Sequence, residues 1–130
     1  MPSTKEREAG FTLISMLIVV AIIGVLATIA VPKFNSVMAS ANTAKVKADL
    51  SAIDSAIAVY ELDYGKPPRK FEDLQAYIDT ETTKPPKGKC NLKNETKPLE
   101  LKENGVYTVN DKGGRKRALC EDHTAEDFGK

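Results

Sequence analysis

Histidine occurs once in this 130-residue sequence, cysteine twice and tryptophan not at all. His123 alone cannot supply the mixed cysteine–histidine set that zinc prefers, and Cys90 and Cys120 are not the closely spaced pair such a site needs. Two readings remain for the cysteines. One is a disulfide, which we expect; the other is two buried thiols in a reducing compartment. In a chain-entropy account, closing a loop of about 30 residues stabilises by ~3–4 kcal/mol. A disulfide would place this part of the chain outside the cytoplasm. Aromatic residues are also few, four tyrosines and four phenylalanines. Any folded core is therefore small, and a small core needs a staple or a long packed helix. There is no nucleophile elbow, no phosphate-binding glycine loop and no metal-ligand spacing. The sequence assigns no catalytic residue, cofactor or metal, and we expect no enzyme. No internal repeat is present.

The most telling absence is local. The formal charge of +1 names no partner, but Phe11 to Val31 holds no charged residue at all, while almost everything after Pro32 is polar. A helix of this length extends roughly 31 Å at 1.5 Å per residue, the thickness of a bilayer's hydrocarbon core. Its polar side chains are Thr12, Ser15 and Thr28, whose hydroxyls can bond back to the preceding turn. A secretory signal peptide fits badly, because its apolar core is about 7–15 residues long and ends at a small-residue cleavage site. Lys5 and Arg7 before the run are balanced by Glu6 and Glu8, and Lys33, Lys45 and Lys47 follow it. Flanking charge thus sets no orientation.

The junction "Glu8-Ala9-Gly10-Phe11" sets a charged leader against a glycine, whose carbonyl a protease can approach closely, and then the apolar helix. The stretch "GFTLISMLIVVAIIGVLATIAVPKF" closely resembles the start of type IV prepilins and type II secretion pseudopilins. Gly10, Phe11, Thr12, Leu13, Ile14, Gly24 and Pro32 fit the family pattern, and the match extends over residues 10 to about 68. The resemblance implies that a prepilin peptidase cuts between Gly10 and Phe11 and N-methylates Phe11. It implies a single-pass precursor held by lipid in the inner membrane. A motor ATPase and an inner-membrane platform protein would then extract it into a periplasmic or extracellular filament with copies of itself and related minor pilins. Two features depart from the pattern. The leader is not net basic, and Ser15 stands where the family carries a glutamate that pairs with a neighbouring subunit's new amine. A buried amine needs an opposite charge, and a serine can only hydrogen-bond. Family members without the glutamate tend to be minor or tip subunits.

The expected architecture is α+β and pilin-like. Residues 1–10 are a leader, 11–31 the apolar half of a helix, 32–65 its amphipathic half, and 66–130 a small globular region. Pro32 is expected to kink the helix or loosen the turn before it. Val46, Leu50, Ile53, Ile57 and Tyr60 form one apolar stripe. The stretch 35–45 is rich in alanine and serine, which permits close packing against another helix. Gly65 followed by Pro67-Pro68 stops the helix. Phe71 to Ile78 reads as a short helix packing Phe71, Leu74, Tyr77 and Ile78, and 79–97 as loop. Leu99 and Leu101, Val106 to Val109, and Arg115 to Cys120 read as a three-strand antiparallel meander. Its turns fall at Asn104-Gly105 and Asp111 to Gly114. The tail 121–130 is expected to be frayed, with a solvated His123 and an acidic cluster that lacks a calcium loop's spacing.

Residues 84–117 carry a net excess of six positive charges, densest at Lys112, Arg115, Lys116 and Arg117. A solvated face is the plain reading, and DNA phosphates are the alternative. The sequence thus points to a structural subunit of a type IV pilus or pseudopilus, serving DNA uptake, secretion, adhesion or motility. The alternative is a minor or tip pilin that binds DNA or a secreted substrate through its basic β-region.

Overall fold

The structure is a computed structural model that describes residues 4–129, with side chains from Gly10 onward. Residues 1–3 of the expected leader, and the side chains of Lys5, Glu6, Arg7 and Glu8, lie outside the described residues. The chain forms two compact units, residues 1–36 and 37–130. Helix α1 is assigned over Thr4–Tyr64 and includes Pro32.

Within the first unit the described part is helical throughout. Pro32 brings no amide hydrogen, so the Thr28 carbonyl lacks its usual helical donor. Thr28 Oγ1 donates to the Val25 carbonyl at 2.7 Å and Ser36 Oγ to the Pro32 carbonyl at 3.4 Å. These hydroxyls return to the helix's own backbone, as expected where no water competes.

The second unit contains the core. The stripe predicted from the sequence is its foundation: Val46, Leu50 and Ile53 are inaccessible to solvent, Ile57 is buried and Tyr60 partly so. The helix stops at Gly65, whose φ of 69° is left-handed and whose N–H returns to the Glu61 carbonyl at 2.8 Å. A 3-10 turn, Phe71–Leu74, comes next, shorter than the helix expected there. The Asp73 carboxylate caps it by accepting the Arg69 and Lys70 amides at 2.9 and 3.2 Å. Phe71 and Leu74 are buried, and Tyr77 and Ile78 pack against the same core.

Four short strands complete the unit: β1 (Gly88–Cys90), β2 (Leu99–Leu101), β3 (Thr108–Lys112) and β4 (Arg115–Leu119). They form two antiparallel pairs, β1 with β2 and β3 with β4, instead of one three-strand meander. The β3–β4 hairpin turns where the sequence places it, but β3 covers Thr108–Lys112 in place of the expected Val106 to Val109. Lys112 faces Arg115, and Gly113 and Gly114, at φ 63° and 84°, supply the two left-handed residues of a tight turn. The Asn104-Gly105 turn does form, with the Gly105 amide on the Lys102 carbonyl at 3.1 Å, but it does not join paired strands. The segment after it inserts Tyr107, 1% exposed, into the core and leaves Val106 outside. Burying one large ring here outweighs continuing a ladder. β1 has no counterpart in the sequence reading: its lysine- and glycine-rich sequence lacks strand propensity, and its pairing with β2 makes it a strand.

The tail is not frayed. Phe128 is fully buried, Thr124 and Ala125 nearly so, and Leu92 bridges Phe128. The Lys93 amide donates to the Asp127 carbonyl at 2.9 Å and the Gly129 amide to the Asn91 carbonyl at 3.0 Å. The tail reverses at Glu121 and Asp122, both left-handed (φ 48° and 65°), with Cys120 and His123 exchanging backbone bonds of 3.0 and 2.9 Å. No glycine signals this turn in the sequence.

Candidate functional site

The working surface of the first unit is its apolar helix. Phe11, Leu13, Ile14, Leu17, Ile23, Leu26, Ile29 and their neighbours stand exposed all round it, from 49% to 75% between Phe11 and Val31. The helix is long and apolar enough to cross a membrane, with a mean hydropathy of 2.9 in its richest window. An exposed apolar surface of this size marks an interaction site. Gly10 and Phe11 lie at the head of this run, and nothing crowds Gly10 where a side chain would start. Ser15 is the partly covered exception among exposed neighbours, and no carboxylate occurs from Phe11 to Val31.

In the second unit, polar ties fix α1 to the segments that cover it. Asn42, buried, donates through Nδ2 to the Lys87 and Lys89 carbonyls at 3.0 and 3.2 Å. Thr43 Oγ1 donates to the Ala39 carbonyl at 2.6 Å and accepts the Asn91 amide at 2.7 Å. Tyr107 donates to Asp49 at 2.6 Å, and Lys45 pairs with the same carboxylate at 2.6 Å. Burial, then the Asp49 carboxylate, pushes the Tyr107 phenol far above its ordinary value. The alanine- and serine-rich stretch noted in the sequence therefore carries a polar seam against residues 87–91. Thr43 lies four residues after buried Ala39 and three before Val46, a spacing that could have revealed it.

The basic hairpin differs from its sequence reading. Arg117 is 14% exposed at its side chain and is held by Asp54 at 3.1 Å and Glu126 at 2.6 Å. The Asp54 carboxylate also accepts the Ala118 amide at 2.8 Å. Arg117 is thus an internal clasp joining α1, β4 and the tail, not a phosphate contact. The pairing holds the Glu126 carboxyl down at about 2. Lys116 lies 3.4 Å from Asp111, and Lys112 donates to the Asp122 carbonyl at 3.2 Å. Arg115 remains exposed. A cleft of about 310 Å³ lies between Asp54, Ile57 and Glu61 of α1 and Arg115 to Arg117 of β4. His123 packs edge-on to Phe128, with Nδ1 3.8 Å from Asp127, so it is half-buried at the surface. Among the described residues no group of three or more metal-ligating side chains converges.

Cys90 and Cys120 are carried as thiols, where the sequence leads us to expect a disulfide. Both are buried in the one core, and burial raises their pKa values to about 11 and about 12.

Family models match residues of both units, as far as residue 99. A model of the prokaryotic N-terminal methylation motif matches residues 5–31, and one of type II secretion system (T2SS) protein G matches residues 33–99. Type II secretion system core protein G of Klebsiella pneumoniae is 35% identical over 80 residues, 62% of this chain and 57% of its own length. The core protein G of Pseudomonas aeruginosa is 35% identical over 81 residues, with the same coverage of 62% and 57%. That of Aeromonas hydrophila is 32% identical over 81 residues, again 62% and 57%. The chain thus spans 57% of the length of these three relatives. No solved structure matches it. With more than half its residues inside the second of these models, the chain belongs to the type II secretion system protein G family.

Proposed function

We propose that this chain is a structural subunit of a type II secretion pseudopilus. A prepilin peptidase cuts between Gly10 and Phe11 and methylates the Phe11 amine. The apolar helix then resides in the inner membrane until the platform protein passes the subunit into a periplasmic filament with copies of itself and other pseudopilins. The observation that carries this reading is the exposed apolar helix headed by Gly10-Phe11. It gains the same relief from water in lipid and among like helices, so the chain can move between them without bond chemistry of its own. Gly10→Glu, with a bulky charge at the cut site, is expected to leave the chain at full length in the membrane and to abolish filament incorporation. A Gly10→Glu chain that matures and assembles normally would sink the proposal.

A second reading, a minor or tip subunit, is favoured by Ser15. With no carboxylate from Phe11 to Val31, this segment offers a neighbour's buried amine no counter-charge. Ser15→Glu is expected to raise the number of copies along purified filaments several-fold if the wild-type chain is confined to the tip. An unchanged copy number points to a subunit distributed along the filament. DNA binding draws no support from Arg117, which is held internally.

A further inference from the structure

Cys90 and Cys120 lie 30 positions apart, yet the fold brings them into a single small core. Cys90 is the last residue of β1, and two residues on, Leu92 bridges Phe128 of the tail. Cys120 directly follows β4, and the reversal at Glu121 and Asp122 leads straight back into that same tail. Both strand ends thus pair with the one tail segment, Leu92 with Phe128 and Cys120 with His123. The buried Tyr107 ring shares this core with both thiols. The exposures of Cys90 and Cys120 are 0% and 1%. Among the described residues no metal-ligating group accompanies them.

We propose that Cys90 and Cys120 are a redox pair that becomes a structural disulfide while the chain folds, and that the closed core then preserves whichever state was installed. This is a modification site in the second unit. That it is used in the cell rests on the reading above, which puts this unit on the periplasmic side. The step balances. One cysteine thiolate attacks the disulfide of an oxidising dithiol protein, forming a mixed disulfide and releasing one of that protein's thiols. The second cysteine then displaces the carrier's other sulfur, so the chain loses two electrons and two protons and the carrier gains them. Attack requires a thiolate that a carrier can reach. In the unfolded chain both thiols are accessible and have ordinary acidity. In the closed core neither condition holds, because burial both covers the sulfurs and disfavours the thiolate. Oxidation must therefore precede closure, and reduction must await opening.

The test uses the full chain in detergent. Refolding from denaturant in a mixture of oxidised and reduced glutathione is expected to yield one intramolecular disulfide, lighter by two hydrogens, with no thiol left to alkylate after denaturation. The chain refolded without oxidant and then placed in the same mixture is expected to keep both thiols, reacting at least ~100-fold more slowly than when unfolded. Two free thiols or glutathione adducts after oxidative refolding would overturn the pairing. Equally fast oxidation of folded and unfolded chain would overturn the locking. In material isolated from cells, methylated Phe11 together with two free thiols would count against the disulfide and leave the pseudopilus reading intact. A full-length, unprocessed chain would count against that reading, while the refolding result would still decide the pairing.

Discussion

The two units solve opposite problems with similar helical chain. In the first, leucine, isoleucine and valine lie on every side of the helix and are exposed. In the second, the same residue types occupy a single stripe, Val46, Leu50, Ile53 and Ile57, and that stripe is buried. An all-round apolar helix has no preferred inward face, so it needs an apolar environment from outside the chain. A one-sided helix directs the rest of its own chain to cover it. The lesson is that hydrophobicity alone does not mark a core; its angular distribution decides whether the partner is the same molecule or another.

Matched leucine truncations should separate the two most strongly. Leu50→Ala is expected to lower the stability of the second unit by ~2–5 kcal/mol, as cavities at fully buried leucines do. Leu17→Ala, at a 70%-exposed position, should leave its thermal midpoint unchanged and reduce filament recovery instead. A thermal melt of both variants, alongside a filament pull-down, checks this; equal loss of midpoint would erase the distinction between the units.

A smaller effect tests how the second unit holds its tail. Asp54→Ala removes both the Arg117 pair and the acceptor of the Ala118 amide. The expected loss is about 2 kcal/mol, because a mostly buried guanidinium and an amide lose a charged partner. Denaturant titration should show it, and no loss would mean that Arg117 and Glu126 suffice.

The smallest effect is with pH. Glu126 has its carboxyl lowered from 4.5 to about 2, first by the Arg117 hydrogen bonds. A depressed carboxylate contributes stability that is fully present above about 4.5 and is lost as pH falls through about 2. The side chain is 65% exposed, so solvent screening holds the contribution below about 1 kcal/mol. Melts of wild type and Glu126→Gln should differ near neutral pH and converge at the acid end of that window. A difference that persists there would exclude the ion pair as its cause.

What was legible in the sequence was periodic or local. The charge-free run, the stripe from Val46 to Tyr60, the stop at Gly65 and the turn at Gly113-Gly114 each arise from a helical repeat or from a residue's own backbone freedom. Contacts across long sequence distances were not legible. Asn42 reaches Lys87 and Lys89, Thr43 reaches Asn91, Asp49 reaches Tyr107 and Asp54 reaches Arg117. Each is a polar side chain whose pattern reads as surface until a partner some 45 to 63 positions away arrives.

By itself, then, the sequence determined that a membrane-length apolar helix follows the Gly10-Phe11 junction, and that a one-sided helix needs a small α+β cover. Only the tertiary structure decided which strands pair, that the tail closes the core through Phe128, and that Arg117 faces inward. The reason is the range of the forces involved. Helical periodicity and turn chemistry act over a few residues. Pairing two short strands, seating one ring and compensating one buried charge depend on what else the fold brings within reach.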